Sequence, residues 1–406
     1  MAKNLKLIHL ANCNSTNIGN GALITGLENL ISEDFKAEIE WVREAWDDYT
    51  FGIKYFDEQF VDLVNHSNGL IINGAVTIHG REYLRENGMR FELPLSLVKK
   101  VKKPIVFYGI SYRHFHGQVF HHAEVLRKTF RGLTEFPNVL MGVRNDGTRI
   151  WLKKTLKLDP DTLAKIYEIP DTGVFTYAKP GQYPEILDER KVIIFAPNDE
   201  DAPFRFGQEN IRYVQETGYQ LSKNNNSMVP DKSWRKTRSQ LIEQLRNALT
   251  RILRESGAQL LLVPHYLDDY KFIASLVDAF EPQIAHQSSI STGLMRVQGT
   301  GYFYGRYQRA DLAISMRVHS ISPCIGLGVP MIPLVTQPRM WDFLKATSLE
   351  DLGLDAFSDN LEQDLIDSAL RILKNPQERI DKFREARTEM REIARLINAR
   401  IEEMFD

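Results

Sequence analysis

Arg317 and His319 stand between two apolar runs in "LAISMRVHSISPCIGLGVPMIPL" (312–334). Ser315, Arg317 and His319 alternate with Ile314, Met316 and Val318, so strand geometry sends the arginine and the histidine to one side. Ser320 then reads as an N-cap, with Pro323 tolerated in the first turn of a short helix. A helix start offers free N–H groups and partial positive charge. With a guanidinium and an imidazole beside it, this is a site for a compact, multiply charged anion. A lone Arg or His is better explained by a carboxylate partner or a core hydrogen bond. The combination favours the anion site.

Other polar residues fall where apolar runs end. "NCNSTNIGNGALITGL" carries Asn17, Gly19, Asn20 and Gly21 into a helix. It is similar to a phosphate-cradling loop, yet lacks the P-loop lysine and the dinucleotide-binding spacing. An ordinary strand–helix turn explains it equally. "GLIINGAVTIHG" supplies Asn73, Gly74 and His79, and "FYGISYRHFHG" supplies Ser111, Arg113, His114 and His116. "VRNDGTRIWL" supplies Arg144, "IPDTGVF" supplies Asp171, and "VPHYLDD" supplies His265, Asp268 and Asp269. His114, His116, His121 and His122 lack a carboxylate at metal-ligand spacing, so no metal is expected. Each of these residues alone reads as structural; together they suggest polar tips converging on one cleft.

The elements that would position them alternate as short apolar runs and amphipathic stretches, the signature of a parallel α/β architecture. Strands are predicted at 5–11, 37–42, 69–73, 104–110 and 139–144, then at 192–197, 259–265, 310–317 and 331–335. Leu23, Ile24, Leu27, Leu30 and Ile31 share a helical face. "YAKPGQYPEILDERK" reads as a linker near residue 180, 237–256 as a long helix, and 220–236 as a polar loop or lid. The expected organisation is an N-terminal Rossmann-like domain over 1–180, a C-terminal one over 190–375, and an amphipathic helix over 376–406. Two adjoining doubly wound domains suggest a glycosyltransferase-B-like arrangement, with ligands in the cleft beyond the strand ends.

The 406 residues are 43% hydrophobic and 26% charged, as in a soluble globular protein. A formal charge of -2 gives no support to nucleic-acid binding. Cys13 and Cys324 are too few for a disulfide framework or a four-cysteine zinc site. No apolar run approaches the ~20 residues of a membrane span, and the N-terminus is too short in apolar residues for a signal peptide. A cytoplasmic location is expected. "LVKKVKKP" (97–104) is explained by a solvated helix end; the alternative is peripheral contact with the inner face of an anionic membrane.

The ordered series "NIGNGALITGL", "GLIINGAV", "PIVFYGIS", "VRNDGTRIWL", "IPDTGVF", "LLLVPH" and "SMRVHSISPCIGLGVPMIPL" resembles the polysaccharide pyruvyl transferase family. The resemblance covers roughly residues 5–335. Its most specific part is Arg317-Val318-His319 followed by Gly328-Val329-Pro330. The chain departs from the family at Asn20, where an acidic residue is common, at the reduced Asn73-Gly74 cluster, and at "SYRHFHG". These departures lie on the side that would face the acceptor.

The resemblance implies a glycosyltransferase-B-like fold and transfer of pyruvate from phosphoenolpyruvate to a glycan or lipid-linked saccharide as a cyclic ketal, with no cofactor. Arg317 and His319 match its donor element, with Ser320 and Arg144 as further donor contacts. His319 is a candidate phosphate clamp or general acid, and His265 and Asp171 are candidate bases. Asn17, Asn20, Asn73, Arg113 and His114 are expected on the acceptor side, and segment 111–117 is expected to line the cleft opposite Arg317. The alternatives are a nucleotide-sugar glycosyltransferase of the same architecture and a diverged non-catalytic binding protein.

Overall fold

The structure is a computed structural model that describes residues 4–80, 85–115, 120, 122–187, 189–206, 236–291 and 295–405. His116, His121 and nearly all of the expected 220–236 loop lie outside these residues.

Two parallel sheets form the frame. The first contains β1 (Asn4–Ala11), β2 (Glu38–Ala45), β3 (Gly69–Asn73), β4 (Val76–His79), β5 (Ile105–Arg113), β6 (Val139–Arg144) and β7 (Ile166–Ile169). Its order is β2-β1-β3-β5-β6-β7, with β4 paired to the far end of β5. The second contains β8 (Val192–Ala196), β9 (Gln259–Leu262), β10 (Ser288–Ile290), β11 (Leu312–Ser315), β12 (Met331–Val335) and β13 (Leu354–Asp355), in the order β10-β9-β8-β11-β12-β13. Residues 69–73, 139–144 and 331–335 form the strands their continuous apolar runs predict. The sequence reading missed β4, β7, β10 and β13. These are short, and three of them sit at sheet edges or ends with little apolar run to mark them.

In each sheet the connections reverse direction beside the first strand of that half. The reversal falls between β1 and β3 in the first lobe and between β8 and β11 in the second. A parallel sheet opens a crevice at such a point, beyond the carboxyl ends of its strands. Both crevices contribute to one cleft, giving two Rossmann-like α/β lobes in a glycosyltransferase-B-like arrangement.

The lobes share a core. One apolar cluster runs from Leu7, Ile18, Ala22 and Leu27 through Val174 to Val318, Ile321 and Cys324, and on to Phe383, Met390, Ile401 and Phe405. The helix Ile18–Asp34 lies in its middle. It buries Leu23 and Ile24 in two other clusters, so it is covered on several sides rather than on the single face its pattern suggests. The final helix, Gln377–Phe405, returns to the first lobe. There Asn398 donates to Asp34 Oδ2 (2.7 Å) and accepts from the Tyr108 hydroxyl (2.9 Å). The expected linker does join the sheets, but it is pinned. Tyr183 and Ile186 are buried in the shared cluster, and Leu187 N–H donates to Gln259 Oε1.

Candidate functional site

The cleft is built by strand ends from both lobes. Asn12, Asn17 and Asn20 follow β1, Ala75 and Val76 follow β3, and Arg113 ends β5. Opposite them, Asn198, Glu200 and Arg205 follow β8, His265 follows β9, Arg317 and His319 follow β11, and Gln337 and Arg339 follow β12.

Arg317 reaches the cleft by a different route from the one its spacing predicts. Strand β11 ends at Ser315, whose Oγ accepts the Arg317 N–H at 3.0 Å and turns the chain out of the ladder. Arg317, extended at φ −127° and ψ 130°, is itself the residue before the helix Val318–Leu327. His319 lies inside that helix with non-helical backbone angles, which mark a kink. Ser320 is therefore not the N-cap. It is buried behind the cleft, where its hydroxyl donates to the Tyr307 hydroxyl at 3.0 Å.

Arg317 is held by the second lobe. Its Nε donates to the Pro197 carbonyl at 3.0 Å and its Nη2 to Asp269 Oδ1, while Glu200 lies 3.6 Å away. Asp269 is fixed by the backbone N–H groups of Asp199, His265 and Tyr266. A charged guanidinium is thus buried but aimed, as P–O or carboxylate recognition requires.

His319 meets the first lobe. Its Nε2 lies 3.0 Å from Arg144 Nη1. Arginine can only donate, so Nε2 accepts and the ring is neutral with its proton on Nδ1. Burial, then the charges of Arg144 and Arg339, hold this imidazole well below its ordinary range. Asp171 stands behind the pair, 3.3 Å from Arg144 and 3.7 Å from His319. It caps the turn at Thr172–Phe175 by accepting the Gly173 N–H, and burial raises its pKa against the pull of Arg144. Asp171 therefore positions Arg144 and His319 from beneath the cleft floor rather than lining it.

Glycine lets the first helix approach this histidine. A Cβ on Gly19 would lie 2.7 Å from His319 Cβ and 3.0 Å from its Nδ1, and one on Gly21 would lie 2.2 Å from Thr300 Oγ1. The glycines of "NIGNG" thus serve interlobe packing, with Asn17 as N-cap accepting the Gly19 N–H at 3.1 Å.

His265 lines the cleft in one tautomer. Tyr307 accepts from Ser320, so its own hydroxyl proton goes to His265 Nε2 at 2.6 Å. The His265 proton is then on Nδ1, which is buried without a partner among the described residues. In this state the ring presents a donor, whereas the sequence reading offers it as a base. Burial, aided by Arg317, keeps it well below its usual pKa.

On the acceptor side, Asn17, Asn20 and Arg113 line the cleft. Arg113 is an interlobe clasp, bonded to Glu200 at 2.8 Å and Asp201 at 2.6 Å. Burial pushes the Glu200 carboxyl up, but Arg113 and Arg317 outweigh it and bring it down to about 2. Asn73 and His114 are not in the cleft. Asn73 is buried at the end of β3, and His114 Nδ1 accepts the Trp151 indole N–H at 2.9 Å beneath Phe120. Of the expected cleft-lining segment 111–117, residues 116 and 117 lie outside the described residues and the rest is split: Arg113 faces the cleft, while its neighbour turns into the first-lobe core.

Sequence reading missed Arg339, Arg205 and Glu200. Arg339, at the start of the helix after β12, donates to Ser111 Oγ (3.0 Å) and the Tyr112 carbonyl (3.1 Å) across the lobes. Burial lowers its pKa to about 10 and that of Arg205 to about 9. Arg339 follows "PLVTQP", a strand end like those singled out above, and that position is the signal that could have found it. Among the described residues no group of three or more His, Cys, Asp or Glu is placed to hold a metal ion. Nor is any helix long and apolar enough to cross a membrane.

Arg113, Arg205, Arg317 and Arg339 give the cleft a cationic lining, in which Arg113 Nε and Arg339 Nε are buried without partners among the described residues. Buried donors are rarely left so, and an oxyanion would satisfy them. Arg144, expected as a donor contact, is not among the lining residues and meets the cleft through His319.

No curated protein matches the chain. Solved structures similar to it include a putative UDP-N-acetylglucosamine 2-epimerase from Listeria monocytogenes (13% identity, 94% of this chain and 91% of that one, TM-score 0.46). Others are a spinosyn rhamnosyltransferase (10%, 98% and 99%, TM-score 0.45) and an ADP-heptose heptosyltransferase from E. coli (12%, 92% and 99%, TM-score 0.39). The polysaccharide pyruvyl transferase model matches residues 17–338, from the cap of the first helix to the first residue of the helix that carries Arg339, and the chain belongs to that family of transferases.

Proposed function

We propose that the protein transfers the pyruvyl group of phosphoenolpyruvate to two hydroxyls of a glycan, forming a cyclic ketal and releasing phosphate. The observation that carries this reading is the pair of partnerless guanidinium nitrogens on Arg113 and Arg339 in the cleft that Arg317 also lines. Phosphoenolpyruvate carries a phosphate and a carboxylate close together, and forked donors suit both.

In the reaction the methylene carbon takes a proton, C2 becomes electrophilic, and a sugar hydroxyl bonds to it. The C2–O bond to phosphate breaks, and a second hydroxyl closes the ring. Of the two hydroxyl protons, one ends on the new methyl group and one on phosphate. Arg317 and Arg144 hold the anionic groups. His319, neutral in the free protein, gains basicity when Arg144 turns to the substrate and a polyanion arrives, which suits it to deliver the proton at C3. His265 Nδ1–H donates to the leaving phosphate. Asp171 positions Arg144 and His319.

The test is thermal unfolding with phosphoenolpyruvate and with UDP-sugars, then phosphate release in the presence of glycans. Stabilisation by phosphoenolpyruvate alone is expected. Stabilisation by a UDP-sugar and none by phosphoenolpyruvate would assign the chain to nucleotide-sugar transfer.

A further inference from the structure

A second depression opens beside the donor cleft, with which it shares Asn12, Asn17, Asn20, Arg90 and Glu200. It is lined further by Asn14, Asp47, Phe51, Ile53 and Arg296. Its chemistry differs from that of the donor cleft. Asp47 and Asp48 lie on the short helix Trp46–Thr50 that leaves β2, and with Glu200 they offset Arg90 and Arg296 in the lining, so the groove carries no excess of positive charge for an anion. Asp47 is only 8% exposed and Asn12 only 6%. Asp47 Oδ2 and Asn12 Oδ1 are nevertheless buried without a hydrogen-bond partner among the described residues. Each is an acceptor that needs a donor, and donors without charge are what hydroxyls supply.

The outer part of the groove is apolar. Phe51 and Ile53 are each 71% exposed, next to the polar floor. Large apolar side chains left in water beside a polar pocket mark a binding surface. The C–H face of a sugar ring fits such a surface while its hydroxyls reach the floor. The far wall comes from the second lobe, where Arg296 Nη1 donates to Asn14 Oδ1 at 3.4 Å. Asn14 Nδ2 in turn donates to Asp48 Oδ1 at 3.1 Å.

We infer that this groove is a subsite for a neutral, hydroxyl-rich sugar, with Asp47 and Asn12 accepting from ring hydroxyls and Phe51 and Ile53 covering the apolar face of the ring. Its role as the acceptor site rests on the pyruvyl-transfer reading above. The groove meets the donor cleft at Asn20 and Glu200, so a sugar bound there presents its edge to the donor.

The test is saturation-transfer NMR on the full chain with methyl β-D-galactopyranoside, methyl β-D-glucopyranoside and methyl α-D-mannopyranoside as probes. Thermal unfolding with and without phosphoenolpyruvate runs alongside. At least one glycoside is expected to give a signal that drops fivefold or more in Asp47→Ala and in Phe51→Ala, while the phosphoenolpyruvate shift stays at the parent's value. Phe51 is exposed, so its variant keeps the fold even if Asp47→Ala does not. No signal from any probe with the parent, or signals unchanged in Phe51→Ala and in folded Asp47→Ala, overturns the subsite. A parent that binds a glycoside through Asp47 and Phe51 but shows no phosphoenolpyruvate shift supports the groove and removes the donor assignment.

Discussion

Arg144 of the first lobe donates to Nε2 of His319 of the second, 3.0 Å away, and so fixes both the tautomer and the charge of the histidine before any substrate arrives. Neither residue has this environment unless the lobes are assembled. His319→Ala and Arg144→Ala are each expected to lower kcat/KM by about 10²-fold or more, the scale of losing one oriented polar group in an enclosed site. Arg144→Lys keeps the charge but not the fork and should recover little. Phosphate-release kinetics with a saturating glycan would decide; parent-like rates for His319→Ala would move the chemistry elsewhere.

Arg317 is the donor anchor in this reading. Removing it outright would leave Asp269 buried without its cation, at a cost of about 3–5 kcal/mol, so Arg317→Lys is the cleaner probe. Phosphoenolpyruvate at about 100 times its Kd should stabilise the parent by about 2.7 kcal/mol. Arg317→Lys should show much less while unfolding cooperatively. An equal shift in both proteins would place the anion off Arg317.

Gly19 tests the packing of the first helix on the site. In Gly19→Ala the new Cβ would stand 2.7 Å from His319 Cβ, closer than real carbons approach. The imidazole must move, and activity should fall well before stability does. Matched circular-dichroism melts and turnover measurements check this, and unchanged turnover would show that His319 tolerates displacement.

Acid should weaken the fold through His265 and His319. Both are held below the ordinary histidine range when folded. As pH falls through about 6.5 the unfolded chain takes up protons that the folded chain refuses. The stability these rings confer is therefore complete above about pH 6.5 and is lost as pH drops toward their folded values, by up to about 1.4 kcal/mol per pH unit for each ring. Urea titrations from pH 8 to 5 should show this slope, and His265→Phe should flatten it. A slope identical in parent and variant would mean that His265 titrates normally.

Asn398 ties the final helix to the first lobe through Asp34 and Tyr108. Asn398→Leu would leave both without this partner and should cost about 1–3 kcal/mol. A denaturation midpoint within error of the parent's would show that the apolar face of the helix carries the docking alone.

Much of this could be read from the residues. Buried parallel strands are continuous apolar runs, so 69–73, 139–144 and 331–335 stand out, and Arg317 and His319 are conspicuous because they interrupt one. Half-exposed edge strands such as Ser288–Ile290 carry no such run. The fate of Ser320 depended on Ser315 capturing the Arg317 N–H, a local bond that competes with the strand ladder and leaves no periodic trace. His114 and Arg113 are neighbours with opposite destinations, decided by Trp151 on one side and Glu200 with Asp201 on the other. These partners lie 37 or more positions away along the chain. The partners of Arg339 were hidden for the same reason, although its place after a strand end was legible: Ser111 and Tyr112 belong to the other lobe.

The apolar cluster that runs unbroken from Leu7 to Phe405 bears on how the protein can be divided. Its halves are not exchangeable modules, because the helix Ile18–Asp34 carries side chains fitted to the second lobe and the last helix carries side chains fitted to the first. A hybrid that joins the first half of one relative to the second half of another would inherit mismatched surfaces at Gly19, Gly21 and Asn398. Substitutions at the exposed Phe51 and Ile53 would disturb no packing, whereas an exchange of halves would have to carry both helices with the lobes they seal.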